Sequence, residues 1–130
     1  MANPNIVAVT TIYGTTTYYT PSGTSAVVLL PNAASSGKVF KINQIVVANT
    51  TGSAANATVS IYSNGAVAQG SAPSGGTAYP VVSAVSVPAN ASLIAVDKTT
   101  AIYLMEGTSI SITSGTSNAL TFTISYEDIS

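Results

Sequence analysis

Seven side chains of this 130-residue chain are ionic at neutral pH: Lys38, Lys41, Lys98, Asp97, Glu106, Glu127 and Asp128. There is no Arg, His, Cys or Trp. Hydroxyl nucleophiles abound, with eighteen Ser and eighteen Thr, yet no imidazole is present to activate one. A Ser–Lys arrangement would have to use one of three lysines, and Ser35 and Ser36 stand three and two residues before Lys38. Paired carboxylates could in principle do acid/base work. Here Asp97-Lys98 and Glu106-Gly107 read as turns, and Glu127-Asp128 as solvated charge near the end of the chain. Acid/base catalysis needs groups whose pKa values can be tuned, and so few are available that the chain is expected not to be an enzyme.

Binding chemistry is narrowed in the same way. A zinc site wants His or Cys, and a calcium loop wants a run of Asp and Asn ligands; neither pattern occurs, so no metal or other cofactor is expected. Three lysines on a chain of net charge −1 do not make the basic footprint that nucleic acid requires. Gly75-Gly76 lacks the helix that a phosphate loop would need downstream. Seven tyrosines, Tyr18 and Tyr19 adjacent among them, offer stacking surfaces for sugars. Tyrosines in strands also serve as ordinary cross-strand partners.

Charged residues make up 5% of the chain and apolar ones 46%, against roughly 25% charged in an ordinary domain. The apolar content supports one domain with a genuine core. With so little net charge, nothing much opposes association, and a homo-oligomer is expected. Met1-Ala2-Asn3-Pro4 leads into strand-like residues with no basic or continuous apolar leader. No stretch approaches the ~20 apolar residues of a membrane helix. Together with the lack of Cys, this points to synthesis in a reducing cytoplasm and to no membrane partner.

The elements that must position any site are strands. Leu120, Phe122, Ile124 and Tyr126 alternate with Thr121, Thr123, Ser125 and Glu127, giving one face for a core and a hydroxyl face for water or a partner. Ile110 and Ile112 alternate with Ser109, Ser111 and Thr113, and the connection 114–118 predicts a hairpin between these two strands. Ala57, Val59 and Ile61 form a third pattern, closed by Asn64-Gly65 as a turn. Between 39 and 49, Phe40 and Ile42 lie in one phase and Ile45 and Val47 in the other, which predicts a bulge near Asn43-Gln44. Further strands are expected at 5–13, 16–20, 25–30, 79–87, 91–96 and 101–105, with Pro21, Pro31 and Pro88 between elements.

About nine short strands predict an all-β fold, a single antiparallel β-sandwich that is jelly-roll-like, with an immunoglobulin-like sandwich as the alternative. Residues 1–20 are expected to be an extended N-terminal arm or the first strand or hairpin, and 21–130 the sandwich. The small, uncharged segment 64–78 reads as a surface loop, mobile or functional. Candidate interaction residues are Ile6, Val7 and Val9 in the arm, Tyr18, Tyr19 and Tyr79 as exposed aromatics, and Gln69 in the loop.

An ordered set of segments adds a resemblance. It comprises 38–51, with Phe40, Ile42 and the Asn49-Thr50-Thr51 turn, then 87–93 around Pro88 and Asn90, 102–110 around Met105-Glu106-Gly107, and the closing 125–130 with Tyr126-Glu127-Asp128. In this order they resemble small β-sandwich virion structural proteins of tailed bacteriophages, of the cyanophage type. The resemblance covers about residues 38–130 and matches less well over 1–37 and 64–78. It implies a capsid decoration or cement protein that assembles in the host cytoplasm, resides on the virion and binds the major capsid protein lattice, with a trimer at a local three-fold as the closed form consistent with that role. The alternative is a tail, baseplate or fibre-associated module, with glycan binding as one role.

Overall fold

A computed structural model describes residues 7–130 of the chain. Nine strands follow one another: β1 (Ile12–Tyr19), β2 (Val27–Asn32), β3 (Val39–Asn49), β4 (Ala55–Tyr62), β5 (Ala78–Val87), β6 (Ser92–Val96), β7 (Ile102–Leu104), β8 (Thr108–Ser114) and β9 (Leu120–Ile129). A 3-10 turn, Lys98–Thr100, separates β6 from β7. Two antiparallel sheets result. One has the order β1-β9-β3-β6, with β7 also paired to β3; the other has the order β2-β8-β4-β5.

β6 pairs with Ile45–Ala48 and β7 with Phe40–Ile42, so together they act as one broken strand along β3. The chain then crosses between sheets at every step except β4 to β5, which pair directly. That is the connectivity of a jelly roll. The immunoglobulin-like alternative fails because it keeps the first two strands in one sheet, whereas β1 and β2 belong to different ones.

The core lies between the sheets. Leu29, Ile42, Ile45, Val47, Val59, Ile110, Ile112, Leu120, Phe122 and Ile124 are sealed from solvent there. The phase switch in β3 is the bulge expected from the sequence: Ile42 pairs with Tyr126 and Gln44 with Ser125, leaving Asn43 as the extra residue. It turns Phe40, Ile42, Ile45 and Val47 all inward. Two buried amides fasten the sandwich. Asn32 Nδ2 donates to the carbonyls of Lys38 and Leu104, both at 3.0 Å. Asn49 Nδ2 donates to those of Ser53 and Val87 at 2.8 and 3.0 Å.

Four expectations are corrected. β8 and β9 do not form a hairpin: each already has two neighbours, and they lie in opposite sheets with Ile110 and Ile112 sharing the core with Leu120 and Phe122. Their connection is an arch, pinned where Gly115 N donates to Asn56 O and Asn118 N to Pro21 O. Asn64-Gly65 is not a two-residue turn but opens the loop 63–77 between β4 and β5. Pro31 sits inside β2, which tolerates it because β2 is an edge strand.

The N-terminal arm is the fourth. Strands expected at 5–13 and 16–20 are one strand, β1, paired along its length with β9 of the same chain. Thr11 N donates to Ser130 O and Ser130 N to Thr11 O, both at 3.0 Å. From residue 10 onward the chain is therefore part of the sandwich, not an arm reaching away from residue 21, and β1 is a single strand rather than a hairpin. Residues 1–6, Ile6 included, lie outside the described residues.

Candidate interaction surface

The two outer faces of the sandwich differ. On the β2-β8-β4-β5 sheet, the loop 63–77 lies against the strands as a roof and does not stand free in solvent. Gly70 N donates to Val28 O at 2.8 Å and Val28 N to Ser71 O at 2.9 Å, adding a piece of backbone beside β2. Ser109 Oγ donates to Asn64 O at 2.9 Å, and the Tyr62 hydroxyl donates to Gly76 O and accepts from Gly76 N, both at 3.0 Å. Beneath this roof Val28, Ser60, Tyr62, Ser109 and Ser111 are buried. The loop is built of small residues because it lies so close. A Cβ on Gly65 would stand 2.0 Å from Asn32 O, and one on Gly76 would stand 2.8 Å from Ser63 Oγ.

The outer face of the β1-β9-β3-β6 sheet is open over Thr16, Tyr18, Gln44 and Ile94, while Val39 and Ile129, in the row of Ile12 at its other end, are buried. Strand pairing sets its side chains in rows: Tyr18, Thr123, Val46 and Ile94 in one, Thr16, Ser125 and Gln44 in the next. Tyr18 is 69% exposed and Ile94 59%. Hydroxyls bond to each other across the strands, Thr16 to Ser125 at 3.0 Å and Thr20 to Thr121 at 2.8 Å. Their hydrogen-bonding capacity is thus partly used within the protein, which lowers the cost of covering them. The face carries its charge in one row, Glu127 beside Lys41, with Lys41 Nζ 3.9 Å from Glu127 Oε2 and Tyr103 next to it.

Lys38, Asp128 and Asp97 act structurally. Lys38 Nζ lies 3.1 Å from Asp128 Oδ2, so Glu127 and Asp128 are salt-bridged, one-third and one-fifth exposed, and not simply solvated as expected. Asp97 caps the 3-10 turn. The Thr99 hydroxyl and backbone N–H both donate to its carboxylate and hold its pKa below the usual value. Burial beside Phe40, with the Asp128 charge adding to it, pushes the Tyr126 phenol up. Among the described residues no three His, Cys, Asp or Glu side chains gather as a metal site.

The expected interaction residues do not form one site. Gln69 Nε2 donates to Thr17 Oγ1 at 3.1 Å and to Leu29 O at 2.9 Å, and Tyr19 lies over Gly70. Gln69 and Tyr19 therefore fasten the loop to the β1 side. Tyr18 points to the opposite face of β1 from Tyr19, so the adjacent pair is no continuous sugar platform. Tyr79 is on β5, the far edge of the other sheet. Val7 and Val9 precede β1 at its opposite end from Tyr18, Val7 being 90% exposed.

Ile94, Val46 and Tyr103 were not singled out from the sequence. The run Leu93-Ile94-Ala95-Val96 is apolar at every position, so no alternation says which residue faces outward. The hydroxyl face of β9 was legible from its period of two.

Comparison of the chain with protein-family models, with curated proteins and with solved structures finds no match.

Proposed function

We propose that this chain is a non-enzymatic virion structural protein, a capsid decoration or cement protein that binds the outer head lattice of a tailed bacteriophage and stabilises it. The observation that carries this reading is the asymmetry of the sandwich. One outer face is roofed by the chain's own loop, while the other presents flat rows of hydroxyl and apolar side chains with its ionic pair confined to one row. Such a face can be covered by a neutral protein surface without stranding a charge. The resemblance of residues 38–130 to virion proteins supplies the partner, the major capsid protein lattice. Many copies on a repeating shell need only modest contacts each.

Electron cryomicroscopy of intact particles tests this. Sandwich-shaped density on the head exterior, with the Tyr18–Ile94 face toward the shell, is the expected result. The same density on the tail or baseplate would replace decoration with the tail-associated alternative. Its absence from the particle would end the virion reading altogether.

A further inference from the structure

Three of the four sheet edges are blunted by devices visible in the fold. β2 is covered by the loop, through Gly70, Ser71 and the Gln69 side chain on Leu29 O. β5 contains Pro80, two register shifts and Ala84 at φ +48°. The fourth position beside β3 is broken between β6 and β7 by the capped turn. Natural sheets use such features to prevent edge-to-edge pairing.

β1 has none of them. It runs eight residues in unbroken register with β9 and contains neither proline nor charge. Thr11 and Ser130 exchange both backbone bonds. By the alternation of an antiparallel ladder, Tyr13, Thr15, Thr17 and Tyr19 bond toward β9, while Ile12, Gly14, Thr16 and Tyr18 turn their N–H and C=O groups to the open edge. No described strand pairs there. The loop reaches β1 through the side chains of Thr17 and Tyr19 and leaves those backbone groups open.

We propose that a second copy of this chain occupies the edge, β1 pairing antiparallel with β1 of its partner about a two-fold axis at Thr15. The sequence of β1 is self-complementary in this register. All four outward-bonding residues find outward-bonding partners, Ile12 with Tyr18 and Gly14 with Thr16, giving about eight backbone bonds. The exposed Ile12 lies beside the exposed Tyr18 of the partner at both ends, an aliphatic–aromatic cross-strand pair. Gly14, with nothing within 4 Å of its Cβ position, leaves room opposite Thr16. No ionic side chain stands on either strand to oppose the approach.

A two-fold axis perpendicular to the sheet keeps both outer faces, each with its Lys41–Glu127 pair, on one side, doubling the surface. A single strand pair lies below the ~1,200 Å² of standard interfaces, so the equilibrium is expected in the micromolar range. The pairing rests on the edge geometry; only the use of the doubled face rests on the decoration reading.

Sedimentation equilibrium of the full chain tests the pairing without any capsid. A monomer–dimer equilibrium in the micromolar range is expected. Gly14→Lys should raise its dissociation constant at least tenfold while the circular dichroism of the monomer stays unchanged, and Thr16→Pro should do the same. The chain has no cysteine, so a Thr15→Cys variant should give a disulfide dimer under mild oxidation much faster than Thr17→Cys, whose partner position is Tyr13. A monomer at several hundred micromolar, a trimer, a dimer indifferent to Gly14→Lys, or equal cross-linking at 15 and 17 would each overturn the proposal. None of these outcomes depends on whether the protein binds a head.

Discussion

Gly65→Ala is the sharpest perturbation of the roofed face. Gly65 is buried where the loop leaves β4, and a Cβ there would meet Asn32 O at 2.0 Å, Asn32 C at 2.7 Å and Thr108 O at 2.7 Å. All three are backbone atoms, so no side chain can swing aside. An ordinary carbon–oxygen contact needs more than an ångström of extra room at the closest point. Loop and β2 must therefore separate, or the buried Asn32 must shift. Overpacking of this kind costs about 1–3 kcal/mol, and the rigid surroundings put this case near the upper end, roughly 3 kcal/mol. For a domain of this size that is a fall in Tm on the order of 10 °C, a large part of a stability of about 5–15 kcal/mol. Urea unfolding followed by circular dichroism would measure it. Gly14→Ala, whose Cβ enters open space, is the matched control and should lie within about 0.5 kcal/mol of the parent. If Gly65→Ala unfolds at the same midpoint as Gly14→Ala, the loop does not lie against the sheet as described.

Asn32→Ala should lose about 2–4 kcal/mol, because it strips two buried carbonyls of their donor and the Ser36 hydroxyl of its acceptor; a loss below about 0.5 kcal/mol in urea would refute that role. Alkaline stability should follow Tyr126. Its phenol is held protonated in the folded chain, so below pH about 10 both states bear the proton and nothing changes. Above that the unfolded chain ionises first and stability falls as pH rises. Tyr126→Phe should flatten the urea midpoint between pH 9 and 11, and an unchanged slope would contradict the assignment. Asp97 works in the opposite direction. Its lowered pKa means that its contribution is present above the ordinary carboxylate range and lost as pH falls through the folded value, a dependence that Asp97→Asn should remove.

How far the sequence could be read depended on whether a pattern was local. The alternation in β9 and the phase switch in β3 are properties of one strand, and both correspond to features of the fold, the second as a bulge at Asn43. The separation of β8 from β9 is not local. Ser114-Gly115-Thr116-Ser117-Asn118 suits a hairpin as well as an arch, and the choice is made by β1, β2, β3 and β4 filling the flanking places. Asn64-Gly65 misled for a related reason, since its glycine answers to the crowded approach of Asn32 O and not to a turn. The roof over Val28 and Ser111 rests on contacts such as Val28 with Ser71 and Asn64 with Ser109, distant in sequence, which no short motif announces. Tyr18 and Tyr79 were both found exposed, but only the strand order shows that they occupy opposite edges.

The central claim is that the protein adheres through the open face of the β1-β9-β3-β6 sheet. Co-sedimentation with purified heads lacking the protein tests it most directly, using Val46→Lys with Ile94→Lys on that face and Ala72→Lys on the exposed loop of the other. The account predicts at least a tenfold loss of attachment for the first variant and full attachment for the second. Equal attachment of the two, or loss confined to the loop variant, would contradict it.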